Sequence, residues 1–160
     1  MVIRGAGGGS IPVMKRVVAL ITFFSILFLF FTSAAFGQVQ TRMRVIRASN
    51  VGSSIDLSLR DVHTELGSLF SFTSYRLLRD ETLTLSLNRP VSISAHEGRI
   101  IIESTLVGLH RGVAELRIRV AREGKDILNT QIKLSPGRTV FIGGPRVRDG
   151  VIIYGVHANF

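Results

Sequence analysis

The chain has 160 residues, with 20 Lys+Arg against 11 Asp+Glu, 46% apolar positions, and neither Cys nor Trp. The apolar fraction excludes a disordered or collagen-like polymer. The missing Cys excludes a disulfide framework, a zinc knuckle, iron–sulfur ligation and thiol catalysis.

Val17 to Phe31 is apolar except for Thr22 and Ser25, follows Lys15-Arg16, and leads into Thr32-Ser33-Ala34-Ala35-Phe36-Gly37. A positive flank, an apolar run of about 15 residues and small residues at −3 and −1 (Ala35, Gly37) are the parts of a secretory signal peptide. The expectation is a signal peptide over residues 1–37, cleavage before Gln38 and a true start at Met14. Retention of the segment as an anchor is the alternative, although a spanning helix needs roughly 20 apolar residues. Removal takes Arg4, Lys15 and Arg16 and no acid. The formal charge of +9 on the whole chain becomes +6, carried by fifteen Arg and two Lys against 11 acids. The remaining stretch, 38–160, has the length of one compact β-rich domain.

Gln38 to Arg47 alternates, with Val39, Thr41, Met43 and Val45 on one face, which predicts a half-buried strand. Ala48 to Ser54 reads as a polar loop. Leu59, Val62, Leu66 and Leu69 recur at three- and four-residue steps and predict an amphipathic helix, with Ser58 and Asp61 resembling a capping box. From Phe72 onward the pattern is β. Expected strands are Phe72–Leu78, Thr82–Leu87, Val91–Ala95, Arg99–Val107, Val113–Ala121, Ile127–Leu134, Arg138–Ile142 and Val151–Ala158. Short strands with frequent turn signals predict a mainly β fold: an antiparallel β-sandwich or small barrel of about seven to nine short strands, with one α-helix near the N-terminal end of the mature chain.

One hairpin takes a register from sequence. A three-residue loop Glu123-Gly124-Lys125 sets Val120 against Leu128, Ile118 against Thr130, Leu116 against Ile132 and Ala114 against Leu134. A two-residue loop would set Val120 against Ile127 and scramble the buried face. The same register turns Arg117 and Arg119 toward solvent or a partner.

Chemistry-bearing patterns are sparse. His63, His96, His110 and His157 lack the spacing that prepares a metal site. Asp80-Glu81 is an adjacent pair whose side chains diverge on a strand or turn. Neither a nucleophile elbow nor a phosphate-binding glycine loop is present. No catalytic residue, cofactor or metal is therefore expected. The most distinctive stretch is Gly137 to Gly150. There Gly143-Gly144-Pro145 precedes Arg146 and Arg148, which offers guanidinium forks and backbone N–H groups to an anion or a partner. The candidate contact residues are Gly143, Gly144, Arg146, Arg148, Arg117 and Arg119.

The tail Ile152, Tyr154, Val156, Ala158, Phe160 alternates like the terminal strand of an outer-membrane barrel, yet most of the expected strands fall short of the 9 to 11 residues such a strand needs. The basic residues are spread over many elements, and nucleic-acid binding conflicts with export. An anionic envelope component or an envelope protein suits the charge better.

Arg47-Ala48-Ser49-Asn50, the helix end Glu65-Leu66-Gly67-Ser68-Leu69-Phe70, the segment Phe72 to Leu78, and Ile142-Gly143-Gly144-Pro145 with Asp149 to Ile153, taken with the signal peptide, resemble a group of uncharacterised small exported bacterial proteins. That likeness implies an exported β domain and brings no activity. Gly137-Arg138-Thr139-Val140-Phe141-Ile142-Gly143-Gly144 is similar to the glycine-ended strand of secretin channel subunits, which are far longer and continue with an aliphatic residue where this chain has Pro145. The resulting expectation is a non-enzymatic binding or assembly module in the periplasm or at the cell exterior of a bacterium. The alternatives are an outer-membrane or secretin-associated β protein and an envelope enzyme.

Overall fold

The alternation at Val39, Thr41, Met43 and Val45 is realised in β1 (Val39–Ser49), which turns that face inward. The computed structural model describes residues 37–95 and 98–160; the expected signal peptide, the Met14 start, His96 and Glu97 lie outside the described residues, apart from Gly37. Downstream of β1 come a 3-10 turn (Leu57–Leu59), α1 (His63–Leu69), β2 (Ser74–Leu85), β3 (Pro90–Ala95), β4 (Ile100–His110), β5 (Val113–Arg122), β6 (Lys125–Leu134), β7 (Thr139–Val147) and β8 (Gly150–Ala158).

The strands form two four-stranded antiparallel sheets, ordered β2-β1-β8-β7 and β3-β4-β5-β6. Met43 and Val45 from the first sheet join Tyr154 and Val156, and Ile102 and Leu116 from the second, in one buried cluster. Alternate residues of two facing sheets sharing one core define a sandwich. The expected small-barrel alternative is not what forms, since the sheets end on separate edge strands.

A third layer covers the other face of the first sheet. Leu59, Val62 and Leu66 pack on Ile46, Ala48, Tyr75 and Ile153. This explains why Val151-Ile152-Ile153-Tyr154 lacks polar alternation. Ile152 and Tyr154 face the sandwich core and Ile153 faces the helix, as in strands buried on both sides. Ile152, Tyr154, Val156 and Ala158 all lie in the sandwich core.

The structure departs from the sequence-based expectation in several places. Phe72–Leu78 and Thr82–Leu87 are not separate; one strand, β2, runs through Asp80-Glu81 because Asp80 finds Arg42 across β1, with bonds of 2.8 and 2.6 Å. The Ser58–Asp61 capping box does not form. Asp56 caps the 3-10 turn by accepting from Ser58 N–H at 3.0 Å, and Asp61 turns to Arg44 instead. Leu69 is exposed, so the helical apolar face ends at Leu66.

A further difference concerns the β5–β6 turn. The expected pairs from Ala114–Leu134 to Val120–Leu128 are all present. They are reached by a two-residue turn, Glu123-Gly124, with positive φ at both residues (51° and 79°), followed by a bulge that leaves Ile127 out of the pairing. Such a turn matches strand twist, and the bulge restores the face that the shorter loop would have flipped.

The Tyr154 hydroxyl lies in the sandwich core without a hydrogen-bond partner among the described residues. Burial pushes its pKa up to about 12. The folded state therefore favours the neutral phenol, and this contribution is complete below about pH 10 and is lost as pH rises toward 12. Tyr154→Phe should raise stability by about 1 kcal/mol at neutral pH by deleting an unsatisfied group. It should also flatten the alkaline fall, as read from thermal midpoints between pH 8 and 12. A loss of stability at neutral pH would show that the hydroxyl is satisfied.

Candidate functional site

One end of the first sheet brings together three segments that are remote in sequence. The first is the β7–β8 hairpin. Gly150 pairs with Ser49, and a Cβ there would overlap the Ala48 carbonyl oxygen, so β8 begins pressed against β1. A bulge between Gly143 and Arg146 bends β7. A Cβ on Gly144 would stand 2.5 Å from a Tyr154 ring carbon, so the bulge can close only on glycine. Bulges of this kind re-aim the residues that follow, here Arg146 and Arg148.

The second segment is the exit from α1. Phe70 donates its N–H to the Leu66 carbonyl at 2.8 Å, and its own carbonyl accepts from the Tyr75 hydroxyl at 2.6 Å. The third is the loop after β1. Thr73 N–H donates to Ser49 O at 3.2 Å and to Asn50 Oδ1 at 3.3 Å, and Thr73 Oγ1 donates to Gly52 O at 2.7 Å. These bonds tie the loop to the start of β2.

Between the segments opens a cleft of about 600 Å³, lined by Phe70 and Phe72 on the helix side, by Arg146, Arg148 and Asp149 on the hairpin side, and by Asn50. Asp149 is held by Arg47, Nη2 to Oδ2 at 2.9 Å. Arg146 and Arg148 are exposed and have no ion-pair partner among the described residues. The volume falls in the usual range for small-ligand sites, and two free guanidinium forks beside aromatic faces suit a carboxylate or phosphate carried on a partly apolar body.

An ion-pair network fixes the helix side. Arg44, almost fully buried on the helix-covered face, donates to both carboxylate oxygens of Asp61 at 3.1 and 2.6 Å. The Arg44 guanidinium holds the Asp61 carboxyl below its usual range, against a smaller opposing effect of burial.

The structure thus joins Arg146 and Arg148 at one site. Gly143 and Gly144 serve it indirectly: they sit inside β7 within the bulge, rather than in a loop between strands, and Gly143 stands beside the Phe70 ring. Arg117 and Arg119 do point outward as expected, but on the second sheet, in different surroundings. Arg119 bonds Asp126 at 2.9 Å, while Arg117 faces Gln131 and Thr105. Phe70, Phe72, Asn50 and the Arg47–Asp149 pair were not legible as site residues. Their own neighbourhoods read as helix end, strand start and polar loop, and only the fold brings them to the hairpin.

The histidines among the described residues are dispersed. His63 meets Tyr75 edge to face at 6.2 Å, and His157 Nδ1 lies 2.9 Å from Thr139 Oγ1. Among the described residues no three of His, Asp and Glu converge as metal ligands. Compared with protein-family models, with curated proteins and with solved structures, the chain finds no match.

Proposed function

We propose that the chain is an exported, non-enzymatic binding or assembly module of the bacterial envelope, and that its Phe–Arg cleft engages an anionic envelope component or an acidic patch of an envelope protein. One observation carries the reading: two exposed guanidinium groups without ion-pair partners among the described residues share a cleft with two phenyl rings. The signal-peptide pattern of residues 1–37 supports export. The charge of the stretch after it favours an anionic partner. Nothing specific favours the outer-membrane alternative, since the alternating face of β8 is packed against the facing sheet.

The double variant Arg146→Ala/Arg148→Ala should fold normally, because both side chains are exposed. Each charge-assisted hydrogen bond lost is worth about 1.5–3 kcal/mol, so capture of the partner from an envelope extract should fall by about tenfold or more. Equal capture by both proteins would remove the cleft reading. Intact mass of the exported protein beginning at Gln38 would confirm cleavage, and a retained N-terminal segment would favour the anchored alternative.

A further inference from the structure

Two open sheets leave four edge strands, here β2 and β7 in the first sheet and β3 and β6 in the second. An edge exposes unpaired N–H and C=O groups and is commonly blunted by charge, Pro, brevity or a bulge. Three of these edges are blunted. β2 carries Arg76, Arg79, Asp80 and Glu81 and a register shift opposite Val45/Ile46. β3 has six residues and starts on Pro90. β7 is bulged between Gly143 and Arg146 and carries Pro145. β6 differs: its ten residues hold neither Gly nor Pro, its bulge is confined to the start, at Ile127, and Leu128-Asn129-Thr130-Gln131-Ile132 is without a charge. No strand pairs with its outer side among the described residues.

By side-chain class that stretch reads alike in both directions: aliphatic, amide, threonine, amide, aliphatic. Leu128, Thr130 and Ile132 take the inner face, where Leu128 and Ile132 pack on the rim of the sandwich core, and Asn129 and Gln131 are exposed on the outer face. Two β6 strands set antiparallel about a twofold axis through Thr130 therefore match at every position. Leu128 meets Ile132 on either side of the axis, Thr130 meets Thr130, and Asn129 meets Gln131 on either side. Each pair lies on a single face, as a continuous sheet requires. A shift of two residues in either direction sets Thr130 against Leu128 or Ile132 and breaks the match.

We propose that β6 is a self-association edge: a second copy of the chain adds its β6 antiparallel to the first, joining two four-stranded sheets into one across a twofold axis at Thr130. A twofold contact is self-complementary, so that residue i meets j and j meets i. The reversible pattern of Leu128 to Ile132 supplies that complementarity, which a foreign strand would not need. Beside the stretch, Arg119 is already bonded to Asp126 at 2.9 Å, which lowers the charge that the two copies bring together. Main-chain hydrogen bonds along the edge give the affinity, and the paired side chains give the register. A contact of one strand on one strand is small, which places it among weak, reversible associations. This edge belongs to the second sheet and is independent of the cleft.

Sedimentation equilibrium of the purified exported protein reads the association. The average mass should rise with concentration toward that of two copies and stop there; a constant single-copy mass, or growth beyond two, would overturn the proposal. Two double variants at exposed positions test the register. Asn129→Glu/Gln131→Glu sets acid opposite acid in both pairs, whereas Asn129→Glu/Gln131→Lys sets acid opposite base. Like charges directly opposed are unfavourable, so the first should associate about tenfold more weakly than the second. Far-UV circular dichroism checks that both are folded. Equal association by the two would overturn the Thr130 axis. Arg146→Ala/Arg148→Ala should associate as the wild type does; loss of its association would move the contact to the β7–β8 hairpin and overturn the β6 edge while leaving the cleft in place. A protein that stays single and instead takes up a foreign strand along β6 would overturn the second copy as the occupant.

Discussion

Gly150→Ala should lower the stability of the domain by about 3 kcal/mol or more, at the upper end of what overpacking a closed interior costs. The added methyl would overlap the Ala48 carbonyl oxygen and stand 2.9 Å from the carbonyl carbon and 3.0 Å from Ser49 Cα. All three are backbone atoms within the ladder that pairs Ala48 with Val151 and Ser49 with Gly150. No rotamer can move them aside, so relief requires the two strands to part and their first hydrogen bonds to go. Gly124→Ala provides the comparison. Its φ of 79° disfavours any side chain, but nothing lies within 4 Å of the added atom, so the cost should be about 1–2 kcal/mol. Urea midpoints should therefore rank Gly150→Ala well below Gly124→Ala, and the reverse order would refute the Ser49–Gly150 pairing. Because Arg148 and Asp149 immediately precede Gly150, the same variant should also disturb the cleft and its Arg47–Asp149 pair.

The contrast between these glycines shows what a sequence can disclose. Gly124 sits in a turn that Glu123-Gly124-Lys125 announces locally, and the hairpin register followed from matching apolar faces on either side. Gly150 looked like another turn residue after Asp149, because the atom that forbids a side chain there belongs to Ala48, on a strand distant in sequence. The cleft divides in the same way. Arg146 and Arg148 stood out beside Gly143-Gly144-Pro145, while Phe70 and Phe72 were absorbed into a helix end and a strand start. In the sequence, Arg79-Asp80-Glu81 lies between two expected strands, Phe72–Leu78 and Thr82–Leu87, whereas in the fold β2 runs through it. Arg42 and Arg44, both on the neighbouring strand β1, make Asp80 tolerable inside a strand.

The Arg44–Asp61 pair should behave asymmetrically. The Arg44 side chain is 6% exposed and that of Asp61 57%, so the two ends carry different desolvation costs. Asp61→Ala leaves a buried guanidinium whose nearest other carboxylate, Asp80, is 3.7 Å from Nε and already bonded to Arg42. Breaking a fully buried pair from one side costs about 3–5 kcal/mol, and with one partner half in water about 2 kcal/mol is expected here. Arg44→Met removes the buried charge together with its need for a partner and keeps an apolar stem in place, so it should be near neutral. Adding Asp61→Ala to Arg44→Met should then cost little, giving a coupling of about 2 kcal/mol between the sites. Acid provides an independent check. The folded-state carboxyl of Asp61 is held below its usual range, so its contribution is present above about pH 4 and fades as pH falls below that value. Wild type should accordingly lose more stability between pH 5 and pH 3 than the Asp61→Ala variant does. If Arg44→Met proves costlier than Asp61→Ala, Arg44 acts as packing rather than as the charged anchor of the turn before α1. If the expected order holds, the anchor also matters for binding. Asp61 immediately precedes Val62, the N-terminal cap of the helix that ends in Phe70, so loosening it should weaken anion binding in the cleft without touching either guanidinium there.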